Sequence, residues 1–142
     1  MKKLLIVRLG SFGDILHTIP APQELSRQYP DCEIHWWVDP AYHSFLECVR
    51  GIDRIWDIRL RAGKIRLRII QEGIQTIRSL RREKFDTAID FQGLLKSAFL
   101  GWLTNPAEFR GCKRDHLREP FAATFYDRRL AVAQDERHQV EH

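Results

Sequence analysis

Asp14 stands behind a short glycine-bearing turn, Arg8-Leu9-Gly10-Ser11-Phe12-Gly13, that follows the unbroken apolar run Leu4-Leu5-Ile6-Val7. A carboxylate at such a junction of strand and helix has two uses. It caps the helix, worth about 1 kcal/mol, or it takes the proton of a hydroxyl nucleophile as a general base. Pattern alone leaves both open. His17 lies one turn further on, where it lines the same cleft or packs within the helix. The spacing Gly10-x-x-Gly13 falls short of the full Gly-x-Gly-x-x-Gly fingerprint, so a nicotinamide cofactor is poorly supported.

Two further groups suit anions. Arg59, Arg61, Lys64, Arg66 and Arg68 sit between a strand end and a helix. Guanidinium groups bind phosphate and carboxylate through paired hydrogen bonds, although a solvated cationic face has the same composition. In Asp90-Phe91-Gln92-Gly93-Leu94-Leu95-Lys96-Ser97, Gly93 permits close approach, while Gln92, Lys96 and Ser97 offer donors at a helix start. A purely structural turn is the equal alternative. Arg118, just before Glu119-Pro120, projects from an extended turn and can reach an anion. The six histidines and three cysteines show no metal-ligand spacing, so no metal site is expected, and Cys32, Cys48 and Cys112 suggest no disulfide framework. A reducing cytoplasm is the simplest home.

These residues need a scaffold. Apolar runs at Leu4–Val7, Asp31–Val38, Ile52–Ile58, Phe85–Asp90 and Ala107–Gly111 read as strands, the last as a short final one. Helices are expected over Ile15–Gln28, broken near Pro20 and Pro22, and over Ala41–Val49, Ile65–Arg82 and Leu94–Leu103. Asp14 is the candidate cap of the first. Such alternation predicts an α/β fold, a Rossmann-like, open and mostly parallel sheet with helices on both faces. Ligands of such folds sit beyond the carboxyl ends of the strands.

The 142 residues suffice for one domain, and 44% are hydrophobic. Lys and Arg number 23 against 19 Asp and Glu, a net charge of +4 that favours anionic partners. No apolar stretch approaches the ~20 residues that span a bilayer, and the four apolar residues before Arg8 are too few for a signal-peptide core. The four tryptophans are scattered and no DNA- or RNA-binding motif is present, so nucleic acid is not an expected partner.

The run from Leu5 to Ala21 and the run Phe85-Asp86-Thr87-Ala88-Ile89-Asp90-Phe91-Gln92-Gly93-Leu94-Leu95-Lys96-Ser97 resemble the ADP-heptose:lipopolysaccharide heptosyltransferases, glycosyltransferase family 9, and within it the heptosyltransferase I branch. Arg118-Glu119-Pro120, Phe125-Tyr126 and His138-Gln139-Val140-Glu141 follow in family order. The resemblance implies the N-terminal half of a GT-B glycosyltransferase, with residues 1–142 as a Rossmann-like acceptor-binding domain leading to a C-terminal domain for ADP-heptose. It implies transfer of heptose to Kdo-modified lipid A with inversion, Asp14 as general base and no cofactor in this chain. Gly13, His17, Arg61, Lys64, Gln92, Lys96 and Arg118 are the implied acceptor contacts. The expected location is the cytoplasm of a Gram-negative bacterium, peripheral on the anionic inner membrane. This chain alone is expected to be inactive; a non-catalytic domain that binds the acceptor or another anion is the alternative.

Overall fold

Leu4, Leu5, Ile6 and Val7 are all buried because they lie at the centre of a sheet covered on both faces. The structure, a computed structural model, describes residues 2–59, 67–112, 120–126 and 128–130. Strands β1 (Lys3–Val7), β2 (Glu33–Val38), β3 (Arg54–Asp57), β4 (Thr87–Asp90), β5 (Glu108–Cys112) and β6 (Arg128–Leu130) are arranged in the order β3-β2-β1-β4-β5-β6. All five pairings are parallel. The strand order reverses between β1 and β4, and the two are in register with Val7 opposite Asp90. A crevice at the carboxyl end of such a reversal is the usual ligand position in open α/β sheets.

Successive side chains of β1 point to opposite faces. Leu4 and Ile6 pack with Ile15, Ile34, Trp36, Val38 and Leu46 under α1 (Phe12–Thr18), α2 (Pro20–Gln28) and α3 (His43–Leu46). Leu5 and Val7 pack with Trp37, Leu80, Phe85, Ala88, Ala98, Phe109 and Tyr126 under α4 (Leu67–Glu83) and α5 (Leu95–Leu103). Each fully buried Leu, Ile or Val contributes roughly 1.5–3 kcal/mol, so the apolar run of β1 anchors both layers.

The expected parallel sheet with helices on both faces is therefore present. The break expected near Pro20 divides α1 from α2, with Pro20 as the first residue of α2, where a missing N–H costs nothing. The expected helix over Ala41–Val49 is a 3-10 turn (Pro40–Tyr42) followed by the single turn of α3. Arg59 and residues beyond it were expected to lead into a helix from Ile65; the described helix starts at Leu67. The strand expected to be final is not. Beyond β5 come a 3-10 helix (Pro120–Phe125) and β6, paired in parallel with β5. Gly111 on β5 is required by close packing: a Cβ there would lie 2.1 Å from the Tyr126 ring.

Candidate functional site

The loops after β1 and β4 meet at the carboxyl edge of the sheet. Ser11 is the N-cap of α1 and Asp14 is its third residue, which corrects the reading of Asp14 as candidate cap. Asp14 instead reaches back: its Oδ2 accepts from the Ser11 N–H at 3.3 Å and from the Ser11 hydroxyl at 3.2 Å. This is the carboxylate half of a capping box. Its Oδ1 lies 3.1 Å from Nη2 of Arg8, and the Asp14 side chain remains 40% exposed. The carboxylate is thus fixed in direction yet reachable from solvent.

Arg8 is largely buried, and its Nη1 donates to the carbonyl of Phe91 in the loop after β4. One guanidinium therefore ties the Asp14 carboxylate to the turn that carries Gln92 and Gly93. That turn is in turn held by Asp90. Asp90 Oδ1 accepts from the N–H groups of Gln92 (2.9 Å) and Gly93 (3.3 Å). Its Oδ2 accepts from the Ser97 hydroxyl at 3.1 Å and from the Tyr126 phenol. Asp90 is 1% exposed, and burial pushes its carboxyl above the ordinary aspartate value despite these four donors.

Of the residues expected at the site, Gly13, His17 and Lys96 are exposed on the starts of α1 and α5 or one turn beyond. A Cβ on Gly13 would meet nothing within 4 Å, so the approach to Asp14 over that residue is open. Gln92 is half-buried in the turn bound by Arg8, and its Oε1 has no hydrogen-bond partner among the described residues. Arg61, Lys64 and Arg118 lie outside the described residues. Arg59, the first cation of that basic stretch, is exposed beside a groove of about 440 Å³ between β3 and α4, lined also by Trp56, Asp57, Glu72 and Thr76.

Arg8, Asp90 and Tyr126 were not singled out from the sequence as site residues. Asp90 carried a signal, an acid closing a covered strand just before a glycine turn. Tyr126 entered only through the Phe125-Tyr126 piece of the resemblance, and no local pattern pointed to its role, because its partner is 36 residues away.

Glu33, His35 and Glu83 place ligand-type atoms within 4.8 Å of one another at the amino edge. The Trp56 indole N–H donates to His35 Nδ1 at 2.9 Å, which leaves the proton on Nε2, 3.1 Å from Glu33 Oε1. Lys3 and Arg54 pair with Glu83 at 2.7 and 3.2 Å. The cluster is an ion-pair network in which no histidine lone pair faces the carboxylates.

The model of Glycosyltransferase family 9 (heptosyltransferase) matches residues 74–142. Lipopolysaccharide heptosyltransferase 1 of Campylobacter coli is 32% identical over 137 residues, 94% of this chain and 37% of that protein. The E. coli heptosyltransferase WaaC, solved with ADP, superimposes with a TM-score of 0.86 at 29% identity, over 98% of this chain and 44% of that one. The same enzyme solved with ADP-2-deoxy-2-fluoro heptose also gives 0.86 at 29% identity, covering 98% and 45%. The chain thus spans about two fifths of the length of these relatives. The parallel sheet, its reversal point and these matches agree: the chain is similar to the N-terminal part of the GT-B heptosyltransferases of glycosyltransferase family 9.

Proposed function

We propose that residues 1–142 form the acceptor-side domain of an inverting heptosyltransferase that moves heptose from ADP-heptose to Kdo-modified lipid A. The observation that carries this reading is the Asp14 carboxylate: oriented by Ser11 and Arg8, partly exposed, and standing at the reversal point of the sheet. Asp14 takes the proton of an acceptor hydroxyl. The hydroxyl oxygen bonds to the anomeric carbon of heptose from the face opposite the diphosphate, and the anomeric C–O bond breaks with its electron pair leaving on ADP. His17, Gln92 and Lys96 contact the acceptor, and Arg61, Lys64 and Arg118 bind its phosphates and carboxylates. The donor belongs to a C-terminal domain, for which the greater length of the relatives leaves room. The reaction takes place on the cytoplasmic side of the inner membrane, and the chain by itself does not turn over.

The test joins this chain to the C-terminal part of WaaC and follows ADP release with Kdo-modified lipid A as acceptor. Asp14→Asn is expected to lower kcat by about 10²- to 10⁴-fold, with acceptor binding and Tm little changed. Normal turnover of that variant removes Asp14 from the base role, and equal loss of turnover and acceptor affinity does the same. Submicromolar binding of ADP-heptose by residues 1–142 alone overturns the division of donor and acceptor between domains.

A further inference from the structure

The Asp14 carboxylate stands on the first turn of a helix of 7 residues that is entered by a loop, and a loop holds a reacting group less closely than a strand or a long helix does. Arg8 supplies the missing constraint. It is the first residue beyond β1, and its backbone is clamped from β2 alongside. Its N–H donates to the Trp37 carbonyl at 3.3 Å, and its carbonyl accepts from the buried Trp36 indole at 2.9 Å. From that fixed base the guanidinium reaches in two directions, Nη2 to Asp14 Oδ1 at 3.1 Å and Nη1 to the carbonyl of Phe91. Phe91 is held on its other side as well, since its N–H donates to the Val7 carbonyl at 3.0 Å. Arg8 therefore fixes Asp14 against the end of β4, a strand in the middle of the sheet.

What fixes the Phe91 carbonyl is Asp90. Phe91 lies between Asp90 and the N–H groups of Gln92 and Gly93, both of which donate to Asp90 Oδ1. The second oxygen of that carboxylate is held by the Ser97 and Tyr126 hydroxyls. Tyr126 is rigid in its turn. Its ring is buried edge-on against Phe109, with centroids 5.1 Å apart, and it fills the space over Gly111. A run of hydrogen bonds thus leads from the segment after β5, through the turn after β4, to the carboxylate on α1.

Stability does not account for this network. Burial makes ionisation of Asp90 costly, and well-packed apolar groups of similar volume in place of buried ionic ones are often neutral or stabilising. Apolar groups, however, cannot aim two backbone N–H groups and, through them, a carbonyl. The network serves direction. We propose that Arg8 and Tyr126 are positioning residues of the transfer reaction: Tyr126 holds Asp90, Asp90 holds the turn after β4, and Arg8 carries that position across to the Asp14 carboxylate. Both roles rest on the base role proposed above for Asp14. A reacting group must be held to about 0.5 Å, so slack anywhere along the run costs turnover.

The test follows ADP release by the enzyme that joins this chain to the C-terminal part of WaaC, with Kdo-modified lipid A as acceptor, well below the Tm of each variant. Arg8→Met keeps an unbranched side chain without donors. It is expected to lower kcat about 10- to 100-fold, with KM for the acceptor changed much less. Tyr126→Phe removes one hydroxyl and is expected to lower kcat about 3- to 30-fold, again largely sparing KM. Because both act through one turn, the double variant is expected to lose little more than Arg8→Met alone. Arg8→Lys, which keeps a donating cation at the position, is expected to recover most of the turnover. Asp86→Ala at the amino edge lowers Tm and leaves kcat unchanged, which separates lost stability from lost turnover. Wild-type kcat in Arg8→Met or in Tyr126→Phe overturns the proposal. So do losses that multiply in the double variant, or losses that simply follow Tm across the variants. Asp14→Asn is measured alongside. If it turns over normally, the base role itself has failed; if it is inactive while Arg8→Met and Tyr126→Phe are normal, only the positioning roles have.

Discussion

At the amino edge of the sheet, Asp86 accepts the backbone N–H groups of Lys2 and Lys3 at 2.7 and 2.9 Å, and Glu83 pairs with Lys3 and Arg54. Those hydrogen bonds hold both carboxyls below their ordinary values. At the carboxyl edge the same residue types meet other conditions. Asp14 is half exposed behind its capping box, and Asp90 is sealed in with its carboxyl pushed up by burial. Acids at one end tie strands and helices together. At the other end one is presented to solvent while the second holds the loops that aim it. The difference follows from strand direction: in a parallel sheet the loops entering the following helices gather at the carboxyl edge, and helix N-termini gather with them.

The comparison breaks most sharply if Asp14→Asn leaves the joined enzyme active, since its predicted loss of two to four decades in kcat is the largest effect expected from any single change here. Next in size is the support behind it. Asp90→Ala strands the Tyr126 and Ser97 hydroxyls and two backbone N–H groups, at a cost of about 1–3 kcal/mol for each buried donor that finds no other partner. Gly111→Ala tests the same support from its other side. An added methyl must displace the Tyr126 ring, at a cost of about 1–3 kcal/mol. Denaturant unfolding measures both. If Gly111→Ala is neutral, Tyr126 is not held against β5, and the anchor of Asp90 must be redrawn.

The two ends were not equally legible in the sequence. Leu4–Val7 and Phe85–Asp90 announce covered strands by continuous apolar patterning, and Pro20 announces the boundary between two helices. Arg128–Leu130 has two arginines in three residues, so nothing local marks β6; its pairing with β5 is a tertiary fact. Ser11-x-x-Asp14 does carry the spacing of a capping box, which places the helix start earlier than a cap at Asp14 allows. The role of Arg8 was hidden because its two partners, Asp14 and the Phe91 carbonyl, come together only when β1 and β4 pair.

Acid titration sharpens the contrast between the edges. Glu83 and Asp86 have lowered folded values, so their stabilisation is complete above the ordinary 4.5 and 3.8 and is lost as pH falls through the folded values. Asp90 has the opposite sign. Its folded value is raised, so its ionisation subtracts stability as pH rises from 3.8 through the folded value. Asp86→Ala is expected to cost about 1–3 kcal/mol near neutrality and to flatten the acid limb of stability. Asp90→Asn should steepen that limb, because the opposing slope is gone. Identical acid limbs in the two variants would show that the edges do not differ in this way.

The smallest predicted effect lies where β3 ends. His43 Nδ1 is 2.7 Å from Asp57 Oδ1, and its Nε2 is 3.4 Å from Glu47 Oε2, so the ring bridges α3 to the end of β3. The Asp57 hydrogen bond, with help from the charges of Asp57 and Glu47, raises His43 above 6.5. A raised folded value means the contribution is fully present below 6.5 and fades as pH climbs through that raised value. The ring is 32% exposed and both carboxylates are solvated, so water and salt screen the attraction and the contribution should stay under about 1 kcal/mol. Thermal melts above and below the window should show the wild-type chain losing a small increment of Tm that Asp57→Asn largely lacks. Added salt should shrink the increment further, whereas it should affect the loss caused by Gly111→Ala much less, because that loss is steric. A salt-independent alkaline step in the wild type would place its source in burial elsewhere, not in this bridge.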